Sequence, residues 1–531
     1  MTLHGLSLIA GQPGRPTAKT FGATNPANGE RLDPDFHEAT PEEVTLALDA
    51  AAAAFAVYRA VTDEARAALL ERIADEIEGM GDALIERAAA ETGLPQGRLK
   101  NERARTCGQL RLFAQVVTEG SWVDARIDPA LPLRQPLPRA DLRRMLVPLG
   151  PVVVFGSSNF PFAFSVAGGD TASALAAGCP VVVKAHRAHA GTAELVGGAV
   201  ARAIAARGLP AGLFSLVHGD GATVGTAMVR HPATTAVGFT GSHGAGRSLF
   251  DVAAARPHPI PVFAEMSSLN PVFLLPGALS ERAAAIADGL FASFTLGVGQ
   301  FCTKPGLIFA VAGADAEALV NRLADLIGPA ANGTMLTAGI RDAFIRNRDM
   351  ITAIPGVRSI LGPTAPMPPP PTGAQPGIAV TSAQVFCAQP ALATEAFGPF
   401  TLIVLAATVA EFDSCIAALE GQLTATVHAT DGELASVRPL LTALEQKAGR
   451  VLVNGFPTGV EVGHAMNHGG PYPATSDVRF TSVGTAAMLR FARPVCYQDV
   501  PDVLLPAALK DANPRGLLRL VEGRPSREPL N

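Results

Sequence analysis

Between residues 40 and 120 the apolar positions recur with helical spacing. The run Val44 to Tyr58, then Leu69, Leu70, Ile73, Ile77 and Leu84, draws an apolar stripe along successive helices. Thr40-Pro41-Glu42-Glu43 is a capping box with proline at the first helical position. Gly93 and Pro95 close that stripe. From residue 150 the period changes. Short apolar runs at 151–155, 180–183, 213–217, 235–239 and 261–264 alternate with stretches at 170–177, 192–206, 223–229 and 242–254. Buried strands separated by helices predict a parallel sheet with right-handed crossovers. A second alternating stretch predicts another α/β domain, with strands at 272–275, 307–311, 378–386, 401–405, 424–428 and 451–453 and helices at 280–296 and 315–327. The proline-dense string Gly362 to Pro371 reads as an exposed extended loop. The polar segment Arg515 to Asn531 reads as a surface extension.

Composition narrows the class. At 531 residues, 17% charged and 48% apolar, the chain is long and apolar enough for two or three domains with large cores. A net charge of −5 with interspersed signs gives no footprint for nucleic acid or an anionic membrane. Six scattered cysteines without a Cys-x-x-Cys pair suggest reduced thiols in a cytosol. The apolar patch Leu6 to Ala10 has no basic residue before it and no clear cleavage site, so we read no signal peptide and a cytoplasmic protein. No apolar run approaches the ~20 residues of a membrane span. Asn332-Gly333-Thr334 fits a glycosylation sequon but reads as a turn.

Ligands of parallel sheets lie at the carboxyl ends of the strands. Asn159, Lys184, Gly241 and Glu265 all fall at such ends, which predicts one shared site. The string Gly299-Gln-Phe-Cys-Thr303 follows an apolar helix and presents Cys302 through glycines. A free thiol, with a pKa near 8.5, needs a base, helix N–H groups or a nearby cation to become a nucleophile. The bland alternative is a small buried hydrophobe. Asn159 would donate its amide to an oxyanion, or cap a turn before Pro161. Glu265 would activate water, or sit in an ion pair at a strand end. Gly241, Ser242, Gly244 and Gly246 would let a diphosphate approach a helix N-terminus, or form an ordinary turn. Lys184, His186 and Arg187 would meet adenosine-ribose hydroxyls or a 2′-phosphate, or form a solvated cluster. His186-x-x-His189 and His464-x-x-x-His468 lack a carboxylate or cysteine at ligand spacing, so we assign no metal. His468, in His-Gly-Gly-Pro-Tyr-Pro, would polarise substrate or tune Cys302, or be a loop residue. A thiol, a carboxylate, an amide and a phosphate loop are together what covalent oxidation of an aldehyde needs.

These strings resemble the aldehyde dehydrogenase superfamily over residues 40–500. Asn159-Phe-Pro161 is similar to its oxyanion-hole string and Val182-Val-Lys184 to its ribose-binding strand. Phe239-Thr-Gly-Ser242 resembles the cofactor loop, Glu265 the general base and Gly299-Gln-Phe-Cys302 the nucleophile. In Glu395-Ala-Phe-Gly-Pro399 the resemblance assigns Glu395 to the nicotinamide ribose and Phe397 to packing beside it. There are departures. Met266-Ser-Ser-Leu269 replaces Leu-Gly-Gly-Lys, and residues 454–483 lack Pro-Phe-Gly-Gly. Arg187 stands where NAD-preferring members often have glutamate, which favours NADP, with NAD also possible. The closest resemblance is to the branch of α-ketoglutaric semialdehyde (2,5-dioxopentanoate) dehydrogenases and NADP-dependent fatty aldehyde dehydrogenases. It implies two Rossmann-type parallel-sheet domains and a small bridging β-sheet. The implied division is 1–127 with 149–265 for cofactor, 266–480 for catalysis, 128–148 with 481–500 for bridging, and 501–531 as an extension. It also implies a homodimer or homotetramer acting on a small aldehyde. Phe160, Phe162, Phe164, Phe301 and Phe456, with His468, would line the substrate pocket. The reading is NADP-dependent oxidation of 2,5-dioxopentanoate to 2-oxoglutarate; the aromatic lining suits an aliphatic aldehyde too, so a fatty aldehyde is the first alternative. No arginine in the 454–470 loop offers a carboxylate clamp. Acylating reduction and an inactive homologue are the other readings; the set Asn159, Glu265 and Cys302 speaks against the latter.

Overall fold

The computed structural model describes residues 2–362 and 371–530. Most of the proline-dense string therefore lies outside the described residues.

Four helices open the folded body after two short β-pairs: α1 (Pro41–Tyr58), α2 (Asp63–Glu78), α3 (Gly81–Thr92) and α4 (Gln96–Glu119). The Thr40–Glu43 capping box is formed, with each side chain bonding the other residue's backbone N–H. Gly93 and Gly120 end α3 and α4 at φ of 67° and 81°, the left-handed conformation glycine adopts without a Cβ penalty.

The first sheet orders its strands Val262–Glu265, Ala236–Thr240, Val152–Phe155, Val181–Lys184 and Phe214–Val217, all parallel. Alternate residues of one strand enter different cores. Val152, Val154, Val181 and Val183 join α2 and α4 residues such as Leu69, Leu70, Leu110 and Phe113. Val153, Phe155 and Val182 face Val44, Leu48 and Ala51 of α1. Each fully buried valine or leucine contributes about 1.5–3 kcal/mol. The Leu6–Ala10 patch supplies Leu8–Ile9, which extends this sheet antiparallel to Phe214–Val217.

The second sheet runs Arg358–Leu361, Gly377–Ser382, Phe400–Ala406, Leu307–Val311, Val272–Leu274, Gln422–His428 and Ala448–Val453. Only its edge strand 358–361 is antiparallel. The expected strand 378–386 is shorter. Ser382 accepts a hydrogen bond from Val385 N–H and starts a helix, Ala383–Ala388. Gly333–Thr334 is no mere turn, since it pairs with Gly373–Ala374.

A third sheet orders Ala492–Gln498, Leu142–Pro148, Arg126–Asp128, Arg519–Val521 and Arg524–Ser526. Its last two strands correct the expectation of a surface extension at the C-terminus. Arg519 is 1% exposed and donates to the carbonyls of Lys510, Asp511 and Glu528. Asn513 donates to those of Leu517 and Arg527. These polar side chains look solvent-seeking in sequence because they satisfy backbone rather than pair with one another. Among the described residues no helix is long and apolar enough to cross a membrane.

Candidate active site

Glu265 closes its strand, Asn159 follows Phe155, and Gly241 follows Thr240, all at carboxyl ends of the first sheet. Cys302 lies in the turn that leads into Leu307–Val311 of the second. That turn is sharply constrained. Gly297, Val298 and Gly299 have φ of 55°, 59° and 66°. Val298 is β-branched in the left-handed region, a strain on the order of 1–3 kcal/mol. A Cβ on Gly299 would stand 2.2 Å from the backbone of Gly398, so only glycine fits. Asn270, a residue the sequence reading missed, holds the turn from below. Its amide donates to the carbonyls of Cys302 (2.9 Å) and Lys304 (3.0 Å). Ser268 and Thr424 donate to its oxygen, and Gln422 accepts from its N–H.

Around the thiol the expected residues converge. Cys302 Sγ is 3.4 Å from His468 Nε2, which is 2.9 Å from Glu265 Oε1. Ser482 Oγ hydrogen-bonds the other Glu265 oxygen. Burial drives the Glu265 carboxyl up, but His468, Ser482 and Cys302 outweigh it and hold the group below its usual range. Burial, then the Glu265 charge, push the Cys302 thiol well above its usual value; Arg105 and Arg450 oppose this. Asn159 is 7% exposed and donates one amide proton to the Gln300 carbonyl at 2.9 Å, which leaves the second free. The Cys302 backbone N–H has no partner among the described residues. His468 gains a carboxylate and a cysteine as neighbours that its local sequence spacing does not predict. Glu265, Cys302 and His468 place ligand-type atoms within 4.8 Å of one another, brought together by tertiary contacts the sequence does not display.

The cofactor-side residues divide. The Gly244 and Ala245 N–H groups of helix His243–Ala254 have no partner among the described residues and Ser242 makes no side-chain cap, so this end fits a diphosphate. Gly246 is explained by packing instead, since a Cβ there would meet Met266 Sδ at 2.8 Å. Lys184 Nζ donates to the carbonyls of Ala185 and Gly219, and burial, followed by Arg187, pulls it down to about 8. His186 departs from expectation. Its ring accepts from Ala188 N–H and stacks on His189, and burial holds its pKa well below the usual value, so it brings no positive charge. Arg187 lies 4.8 Å over the Phe21 ring and pairs with Glu38, a carboxylate that Lys19 also reaches at 2.8 Å. Burial raises the Glu395 carboxyl, while Lys304 pulls it down. Lys304, itself buried, holds the Glu395–Phe397 loop by donating to Ala396 and Phe400 carbonyls at 2.9 Å each. Phe397 is half-buried in that loop. Lys184, the open helix end and Glu395 fit an adenine dinucleotide laid along these strand ends.

Phe160, Phe164 and Phe301 form one edge-to-face cluster, with centroids 5.2 Å apart in both pairs, and Phe164 lies 6.3 Å from the His468 ring. Phe162 and Phe456 do not join it. Phe162 is buried in the core under α4. Phe456 packs on His428 at 5.3 Å and over Gly289. Two arginines of α4 stand over the cluster: Arg98 at 5.2 and 4.7 Å from Phe160 and Phe301, and Arg105 at 5.2 Å from Phe164. Helical spacing hid them, because α4 reads as a polar stripe.

The aldehyde dehydrogenase family profile matches residues 15–472. The chain belongs to the aldehyde dehydrogenase family. It is an NAD(P)-dependent aldehyde oxidoreductase. It is similar to alpha-ketoglutaric semialdehyde dehydrogenase 2 of Azospirillum brasilense, 54% identical over 527 residues and covering 99% of this chain and 100% of that one. It is 47% identical over 521 residues to alpha-ketoglutaric semialdehyde dehydrogenase of Acinetobacter baylyi, covering 98% of each. In fold it matches a double mutant of betaine aldehyde dehydrogenase from Staphylococcus aureus in complex with NAD+. The TM-score is 0.79, at 20% identity, over 94% of this chain and 97% of that one.

Proposed function

We propose that this aldehyde dehydrogenase oxidises 2,5-dioxopentanoate to 2-oxoglutarate through a thioester on Cys302. The observation that carries the chemistry is the contact chain from Cys302 Sγ through His468 Nε2 to Glu265 Oε1. The substrate assignment rests on the full-length likeness to two dehydrogenases named for that semialdehyde. His468 Nε2 takes the thiol proton as the sulfur forms a bond to the aldehyde carbon, and the ionised Glu265 beside it stabilises the imidazolium. The free Asn159 amide proton and the Cys302 N–H stabilise the oxyanion. A bound nicotinamide supplies the hydride acceptor. Collapse of the adduct leaves the thioester. Glu265 then takes a proton from water as the water oxygen attacks the acyl carbon, and the thiolate leaves. A recess of about 20 Å³ lined by Glu265, His468, Thr475 and Ser482 has room for one water.

NADP is the proposed preference, with NAD also accepted. A 2′-phosphate would draw Arg187 and Lys19 from Glu38, exchanging one anion for a doubly charged one, while NAD leaves that trio intact. The unpaired outer edge of Ala492–Gln498 and the exposed Leu133 and Val503, 90% and 78% accessible, support assembly as a homodimer or homotetramer. Free cysteines throughout the described residues support a cytoplasmic setting.

One assay tests the reading: kcat/KM for 2,5-dioxopentanoate, succinic semialdehyde, pentanal and decanal with each cofactor. The highest value should fall on 2,5-dioxopentanoate with NADP. The aromatic cluster makes decanal the competitor, and a decanal preference overturns the substrate. Arg187→Glu should lower the NADP-to-NAD ratio by one to two powers of ten; an unchanged ratio removes Arg187 from the phosphate.

A further inference from the structure

We infer that Arg105 of α4 receives the carboxylate end of the substrate, an inference that rests on the proposed acidic semialdehyde. Residues 98, 102 and 105 share one face of α4 by helical spacing. Glu102 is buried and fixed, since it accepts from the N–H groups of Phe162 (2.8 Å) and Ala163 (3.0 Å). Neither Arg98 nor Arg105 has a carboxylate within 4.0 Å among the described residues. Arg105 Nη1 is shut off from solvent and has no hydrogen-bond partner. Its Nη2 makes a single long contact, 3.4 Å to the Val460 carbonyl.

A guanidinium stays charged in proteins, and a buried cation without a counter-ion is costly. The Phe164 ring and the nearby Glu102 charge, which makes no direct ion pair with Arg105, offset part of that cost. The rest is recovered when an anion arrives. The other arginines nearby are committed. Arg98 donates to the Asn159 carbonyl at 2.7 Å and is stacked between two rings. Arg450 donates to the carbonyls of Pro457 and Gly459. Arg490 pairs with Asp170 at 2.8 Å. Arg98 Nη1 and Arg450 Nε are also without partners, but of these arginines it is Arg105 that stands over Phe164, the ring that adjoins His468.

The geometry matches the chemistry of a short 2-oxo acid with an aldehyde at its far end. With the aldehyde carbon at Cys302, the carboxylate and adjacent keto oxygen present two acceptors to a planar fork of donors. The clamp therefore comes from a helix of the first half of the chain. A neutral aliphatic aldehyde fills the aromatic cluster but leaves Arg105 unpaired, so discrimination arises at one guanidinium.

Arg105→Gln and Arg105→Lys test this, with kcat and KM measured separately on 2,5-dioxopentanoate, succinic semialdehyde and pentanal. Arg105→Gln should lower the 2,5-dioxopentanoate-to-pentanal ratio of kcat/KM by about 10- to 100-fold, mainly through KM. Arg105→Lys, which keeps the charge but not the fork, should lie between. Should the glutamine variant not fold, the lysine variant must still lower the ratio. An unchanged ratio in either folded variant, or an equal fall on both aldehydes, overturns the clamp. If wild type prefers succinic semialdehyde and Arg105→Gln erases that preference, the clamp stands and 2,5-dioxopentanoate falls. If wild type prefers neither acid over pentanal, both fall.

Discussion

Cys302 carries its thiol into surroundings that oppose ionisation. Burial and the Glu265 carboxylate both favour the protonated form, so the sulfur is a poor nucleophile until something takes its proton or brings a cation. A raised pKa means the thiolate fraction is still growing above pH 9. Alkylation of the cofactor-free enzyme by iodoacetamide should therefore keep accelerating from pH 8 to pH 10. A plateau below pH 8.5 would show that His468 has already taken the proton. Glu265→Gln separates the two halves of the reaction. The thioester should form and then persist, giving a burst of about one reduced nicotinamide per site followed by a slow steady rate. Loss of the burst would put Glu265 before hydride transfer. Sequence named both residues because each stands in a distinctive local string. It could not name Asn270 or the Glu265–His468 contact, since one is an unremarkable loop amide and the other spans 203 positions. His186 shows the reverse failure. Its place beside Lys184 and Arg187 suggests charge, but burial against His189 removes it.

Among the elements, the turn before Cys302 is the least tolerant of change. Three consecutive positive-φ residues aim the thiol, and Gly299 lies against the backbone of Gly398, next to the loop that carries Glu395 and Phe397. Gly299→Ala cannot be absorbed by a side-chain rotation, because the clash is with backbone. It should cut kcat by roughly tenfold or more, since small displacements of a reacting atom are expensive. Thermal stability should fall with it, by about 1–3 kcal/mol. Wild-type kcat in the alanine variant would show that the turn relaxes without moving Cys302. Most strands and helices were legible from period alone. The strand expected at 378–386 ran too far because its apolar run continues into a helix, and only the Ser382 cap marks the change. The clamp proposed on Arg105 lies outside the 454–470 loop for a similar reason. A guanidinium on a polar helix reads as solvated until its neighbours prove to be phenylalanines.

At the scale of the whole molecule, the proposed assembly would rest on the third sheet. The loop between Arg126–Asp128 and Leu142–Pro148 exposes Leu133 and Leu137, 90% and 69% accessible. Leu133→Lys combined with Leu137→Lys should lower the mass measured by light scattering toward the 54.6 kDa single chain. An unchanged multimer would place the interface elsewhere. The same sheet has another consequence. Leu142–Pro148 is flanked on one side by Ala492–Gln498, and Arg126–Asp128 by Arg519–Val521, strands that leave the ribosome some 350 and 390 residues later. His468 and Ser482, which frame Glu265, also emerge after both large sheets are complete. A growing chain thus displays Cys302 for a long interval without His468, the group proposed to take its proton. During synthesis the thiol ionises as an ordinary free cysteine does. The site that buries it beside a proton acceptor is completed only by the last tenth or so of translation, when the polypeptide closes on itself.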